Sequence, residues 1–262
     1  MIYNYLTTAF RSLVRQKHYT FINLIGLSVG IASFVLIALY VQHELSFDKH
    51  LKNVDRLFRV VELQNEPGVG EQHVAITMGP LAESLLADFP QVTGVVRFIP
   101  GFDIPIVRFG EKNFREKDMY YADPSVIRLF EIELVSGNPE TVLSNPRSVL
   151  MSEKAAARYF GSPANAPGKV LIMGNRGFRV SGVMKDQPQN THFFFDILVS
   201  SSTLDGLEDF SWLKDWGSNS LVTYVQLDKP ESQAPVEAGF ADFLEKHIFS
   251  TGNGWHNFEM YL

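Results

Sequence analysis

The chain contains no cysteine. A disulfide framework, thiolate catalysis and zinc held by thiolates are therefore excluded, while either redox compartment is tolerated. Also missing are the phosphate loop GxxxxGK followed by Ser or Thr and the dinucleotide turn GxGxxG, and the GxSxG string at Gly26 to Gly30 lies inside a long apolar run, not at the strand-to-helix elbow of serine hydrolases. The chain thus brings no nucleotide-hydrolysing machinery of its own, and no cofactor is expected. Scattered carboxylates leave a concealed acid/base pair open. Positive charge is scarce as well: all 29 Asp and Glu lie beyond residue 41 with only 20 of the 23 Lys and Arg, a formal charge of −9 for that part. Phosphate binding needs a basic stripe, so nucleic acid is not expected as a partner.

What is present begins with an apolar run. Phe21 to Val41 holds no charged side chain. As a helix it would span roughly 31 Å, close to the hydrocarbon thickness of a bilayer. A buried core helix or a signal-peptide apolar region would be shorter. Gln42, His43, Glu44 and Leu45 follow the run where a cleavage site would need small residues. The reading is an uncleaved transmembrane helix over 21–41, with the lipid bilayer as its first partner. Arg11, Arg15 and Lys17 precede it without an acidic residue, so the N-terminus is expected in the cytoplasm and the main domain outside. Within the span Gly26 and Gly30 form a GxxxG pair that Ser33 extends, a face on which a second helix can pack closely. A lipid-facing groove without a partner is the alternative reading of that face.

Around the span, Ile2, Leu6, Ala9, Phe10 and Leu13 recur at helical spacing with Arg11 and Arg15 on another face. This predicts a cytoplasmic amphipathic helix over 1–20, or a simple continuation of the span. Leu45, Phe47, Leu51 and Val54 continue helical spacing, which predicts a stalk helix over 42–55. Farther on, a strand at Arg56 to Leu63, a turn at Glu66, Pro67, Gly68, Val69 and Gly70, and a strand at His73 to Met78 precede a helix from Pro80 to Pro90. A strand at Val92 to Ile99 then completes a β-α-β unit. Leu221 to Leu227, a helix opened by Pro235 with Gly252 just past it, and Phe258 to Leu262 form a second. The fold class is therefore α+β: one N-terminal transmembrane helix, then two β-α-β units in a ferredoxin-like split over 56–100 and 218–262, with a β-rich subdomain inserted over 101–217. In the insertion, Asp123 with Pro124 caps one short helix, Ser152 and Gly161 bound another, and Gly174, Asn175, Arg176 and Gly177 connect a hairpin.

Candidate chemistry is thin. His43 and His50 flank Glu44, but Phe47 stands where a zincin needs its second histidine; stalk surface is the plainer reading. His192 lies between Asp186 and Asp196 in what reads as a loop leading into a strand. No catalytic, cofactor-binding or metal-binding residue is assigned.

The opening NYLTTAFRSLVRQKHYTFINLIGLSVGIA, then ELSFDKHLKNVDRLFRV, YYADPSVIRLFEIELVSGNPETVL, SVLMSEKAAARYFG, GKVLI and FRVSGVMKDQPQNTHFFFD, together resemble MacB-type, FtsX-like ABC transporter permeases and their MacB-like periplasmic core domain. The resemblance implies a bacterial inner-membrane protein that is not an enzyme. It also implies a cytoplasmic ABC ATPase subunit, a homodimer or heterodimer of permeases, and an envelope partner or substrate outside. Permeases of this family carry three further membrane helices after the outer domain, so the sequence reads as a fragment of one or as a shortened homologue. The leading expectation is a permease component coupling ATP hydrolysis to export or mechanical work. The alternative is a single-pass, membrane-anchored binding or sensing module without transport activity; an anchored envelope enzyme ranks third.

Overall fold

The computed structural model describes residues 2–49, 51–66, 68, 70–101, 103–188, 190–250 and 258–262. His50, Pro67, Val69 and Gly252 lie outside the described residues. The chain divides into two compact units, Met1–Asp48 and Lys49–Leu262.

The first unit is two helices, α1 (Ile2–Arg15) and α2 (Lys17–Glu44), divided at Gln16, whose backbone leaves the helical region at φ −105 and ψ 55. The Thr20 hydroxyl donates back across this break to the Leu13 carbonyl at 2.9 Å. The expected span sits inside α2, whose 28 residues reach about 42 Å. The helix stops at Glu44 and does not continue as the stalk expected to residue 55. Ser46 Oγ donates to the His43 carbonyl at 2.6 Å, and Asp48 turns the chain at φ +56. Leu51, counted with the stalk by spacing, is instead buried in the core of the second unit, where Lys52 N donates to Glu131 Oε2 and Asn53 Nδ2 to the Leu129 carbonyl.

The second unit contains β1 (Leu57–Arg59), β2 (Val61–Glu66), β3 (Gly70–Val74), β4 (Thr77–Met78), α3 (Leu81–Asp88), β5 (Val92–Pro100), β6 (Ile106–Phe109), β7 (Lys112–Arg115), β8 (Met119–Ala122), α4 (Val126–Leu129) and β9 (Leu134–Ser136). It continues with β10 (Ser148–Ser152), α5 (Glu153–Phe160), β11 (Val170–Met173), β12 (Arg176–Met184), β13 (Ile197–Ser200), β14 (Asn219–Leu227), α6 (Gln233–Ala238), α7 (Phe240–Leu244) and β15 (Phe258–Tyr261). β1 and β2 are one run interrupted at Val60, whose amide donates to the Thr223 carbonyl. β14 pairs antiparallel with both β1 and β5, and β15 pairs antiparallel with β2. The order β15, β2/β1, β14, β5 interleaves two β-α-β units, the split arrangement read from the sequence, across a small sheet β15–β2–β3 and a main sheet that begins β1–β14–β5. β3 adds to β2, and β4 to β14.

The inserted region extends this sheet edge to edge. β5 pairs with β8 through Phe98 and Ala122, and the order continues β8, β13, β10, β12, β11, β6, β7. β10 and β13 are buried at every position, as strands covered on both faces must be. Their alternation sorts the core: Leu150 and Leu198 join Phe98, Phe130 and Phe195 on one face, while Val149, Met151, Ile197 and Val199 meet α5 on the other. Each such side chain contributes about 1.5–3 kcal/mol by leaving water. α5 presents Ala155, Ala156 and Tyr159 to that layer, with the Ser152 hydroxyl accepting from Ala155 N and Gly161 closing the helix at φ +78. α3 ends at Phe89, held extended before Pro90.

Two local expectations change. Asp123 does not cap α4, because its carboxylate is bound by Arg97 and Ser201. The helix expected from Pro235 divides at Gly239, whose Cβ would lie 2.7 Å from the Phe89 ring. At the β11–β12 hairpin, Met173 faces Arg176 across a two-residue turn with Gly174 at φ +57, a conformation that favours glycine.

Candidate functional site

The helix α2 carries the first candidate site. Gly26, Gly30 and Ser33 fall at i, i+4 and i+7, one face of a 3.6-residue repeat, and all three are exposed. A Cβ placed on either glycine meets nothing within 4 Å. Arg11, Arg15 and Lys17 are exposed as well, before and at the start of α2, and no acidic residue stands in its first turn. Of the amphipathic stripe on α1, Phe10 and Leu13 are exposed, while the side chains of Ile2, Leu6 and Ala9 lie outside the described set. α2 has no buried residue, and it is the one described helix long and apolar enough to cross a membrane.

In the second unit the polar clusters are built from strand ends. Arg97 on β5 binds Asp123 with Nε and Nη2 at 2.9 and 3.0 Å, and donates from Nη1 to the Gly79 carbonyl at 3.2 Å. Ser201 Oγ donates to the same carboxylate at 2.8 Å. This network floors a cleft of about 400 Å³ between Glu83, Asp205, Leu213 and Lys214. One wall comes close because residue 79 is glycine: a Cβ there would lie 2.0 Å from the Leu213 carbonyl oxygen. With its guanidinium committed to Asp123, Arg97 stiffens the junction of β5 with the insertion and offers little to an anion.

A second cluster sits under α5. Arg158 Nη2 donates to both oxygens of Glu116 at 2.8 and 2.7 Å, and the Tyr159 hydroxyl donates to Glu116 Oε1 at 2.5 Å. Glu116 is 5% exposed. Burial first, then the bond to Glu116 and its charge, raise the Tyr159 phenol well above its ordinary range. The arrangement fixes α5 to the strand connection after β7 and presents no reactive group to solvent.

The third polar group is Glu62 on β2, fully buried. Gln64 Nε2 and Asn219 Nδ2 donate to its Oε2 at 2.8 and 2.6 Å. Burial, only partly offset by these two bonds, pushes its carboxyl from 4.5 up to about 7. The sequence held the signal: alternation places Val60, Glu62 and Gln64 on one face of a strand.

The remaining sequence candidates separate. His43 is on α2, where its ring meets Phe47 edge-on at 5.3 Å, and its expected companion His50 is not described. Asp186 accepts from Lys154 N in the first turn of α5, and Asp196 accepts from Ser152 Oγ, so both carboxylates beside His192 serve local structure. Among the described residues no three His, Asp or Glu converge as metal ligands.

Residues 20–243 match the family model of the MacB-like periplasmic core domain. Among solved structures, a domain of a putative permease protein from Porphyromonas gingivalis is similar at 20% identity over 80% of this chain and 90% of that one, with a TM-score of 0.66. The periplasmic region of MacB from Actinobacillus actinomycetemcomitans matches at 17% identity over 81% and 93%, TM-score 0.52. The extracellular domain of the noncanonic ABC-type transporter YknZ from Gram-positive bacteria matches at 16% over 78% and 100%, TM-score 0.52. At these identities the likeness is one of fold. No curated protein matches significantly. Together with the apolar helix at its N-terminal end, the family match over most of its length shows that the chain belongs to the MacB-like periplasmic core domain family of ABC transporter permeases.

Proposed function

We propose that the chain is a non-catalytic permease component of an ABC transporter. In this reading α2 spans the bacterial inner membrane, α1 lies at its cytoplasmic face, and Lys49–Leu262 stands outside the cytoplasm. A cytoplasmic ABC ATPase subunit drives it, and the outer unit converts ATP hydrolysis into export or mechanical work on an envelope partner. The observation that carries the reading is the family match over residues 20–243, which runs from the apolar helix through nearly all of the folded unit. The basic residues Arg11, Arg15 and Lys17 support the orientation. Purification of the protein from its native membrane in mild detergent should bring an ABC ATPase with it. Recovery without any ATPase, in a membrane where the chain binds an outside ligand, would favour a single-pass sensing module instead.

The Gly26, Gly30, Ser33 face is the proposed packing surface for a second permease helix. Since a Cβ at either glycine meets nothing within the chain, Gly26→Leu and Gly30→Leu should leave the monomer folded while blocking close helix approach. The expected loss is on the order of 1 kcal/mol, about five-fold in association. Crosslinking in membranes reads it directly, and unchanged dimer yield in both variants would remove this face as an interface.

A further inference from the structure

Glu62 occupies the junction of two sheets. It lies on β2, in the small sheet β15–β2–β3, and its carboxylate is held by Asn219, the first residue of β14 in the main sheet. The side chain is fully buried. Glu62 Oε1 and Asn219 Oδ1 are both buried without a hydrogen-bond partner. Two buried orphan acceptors are costly when the carboxylate is ionised, and a proton on the acid lowers that cost by removing the charge. A half-turn of the Asn219 amide puts Oδ1 where Nδ2 now stands, 2.6 Å from Glu62 Oε2, in position to accept from the acid O–H.

Among the described residues no cation is set against the Glu62 carboxylate. Across the register, Glu62 shares its face with Met260 of β15 and Val74 of β3. The titratable residues of those strands point the other way: His73 and Glu259 pair with Leu63, Tyr261 with Val61, and Glu71 with Asn65. Glu66 stands four residues on, at the hairpin end of β2. β4 brings Thr77 and Met78, and the one titratable residue of β14 is Tyr224. On β1, Arg59 gives Nη2 to the Ala75 carbonyl at 2.8 Å. On α7, which packs on β15, Asp242 is exposed.

We propose that the Glu62–Asn219 contact is a proton-operated latch: as the neutral acid Glu62 seats the small sheet on β14, and on losing its proton to solvent it loosens that seating. The direction follows from burial. The folded state holds the proton more tightly than the opened state, where the carboxyl returns to its ordinary 4.5. The seating is therefore complete below that value, weakens as pH rises toward about 7, and changes little above it. This device does not depend on the transport reading, although a unit placed outside the cytoplasm would meet the pH of the surroundings.

Native-state hydrogen exchange on the full chain in detergent tests it, with each rate corrected for the intrinsic pH dependence of exchange. The opening constant of amides in Val61–Glu66 and Phe258–Tyr261 should rise about ten-fold per pH unit between pH 5 and 7 and level off above, while β10 and β13 stay flat. Glu62→Gln supplies a permanent donor and should abolish the slope. A flat wild-type profile, or an unchanged slope in Glu62→Gln, overturns the proposal. If that variant does not fold, the wild-type carboxyl carbon resonance of Glu62 decides: a midpoint near 7 supports the latch, and one near the ordinary 4.5 contradicts it.

Discussion

Phe98→Ala should cost the folded unit about 3–5 kcal/mol, the range for removing a buried aromatic side chain. Phe98 is fully buried on β5 and gathers five rings, those of Tyr120, Phe130, Phe193, Phe195 and Tyr224, at centroid separations from 4.5 to 6.3 Å. These rings come from the insertion and from β14, so one side chain ties the split β-α-β units to the inserted strands. Truncation removes apolar burial and leaves a cavity that rings held by separate strands cannot all move to fill. For a unit of this size the melting temperature should fall by roughly 10 °C. Thermal unfolding followed by near-ultraviolet circular dichroism measures it. A loss under about 1 kcal/mol would mean that the site collapses freely, contrary to the packing described.

Glu116→Ala should be nearly as damaging, for a different reason. The substitution leaves the buried Tyr159 hydroxyl without its carboxylate acceptor, a penalty of about 1–3 kcal/mol. It also strips Arg158 of a bidentate partner. Breaking a buried ion pair by removing one member costs about 3–5 kcal/mol, and because the Arg158 side chain is 33% exposed, water recovers part of it. A total near the lower end of that range, about 3 kcal/mol, is expected from denaturant unfolding. The second variant Arg158→Met separates the contributions: it leaves the Tyr159–Glu116 bond in place and removes only the ion pair. A Glu116→Ala variant as stable as the wild type would show that the cluster is ornament on α5.

The long apolar helix and the split β-α-β frame were legible in the sequence because each rests on a local pattern. Val92 to Phe98 alternates as a half-buried strand must, and Leu81, Ala82 and Leu85 fall on one face of α3. Long-range choices were not legible. Asp123 followed by Pro124 has the form of a helix cap, yet Arg97, 26 residues earlier, reaches it in the folded sheet and binds it more strongly than a backbone amide would. Leu51 fits a helical stripe after the span, but Glu131 and Leu129, nearly 80 residues away, hold its neighbours Lys52 and Asn53 against the core. The division at Gly239 depends on Phe89 from another helix. Glu62 is the intermediate case: alternation marks it as inward-facing, and only the fold reveals Asn219 as its companion.

In the proposed function α2 separates a short basic segment from a large acidic one across a lipid barrier. Because the chain lacks cysteine, single cysteines can report this without a background. Ser12→Cys on α1 and Glu111→Cys in the turn between β6 and β7 are both at exposed positions. A membrane-impermeant maleimide applied to intact spheroplasts should label Glu111→Cys at once and Ser12→Cys only after permeabilisation. Equal labelling of the two before permeabilisation would contradict the account.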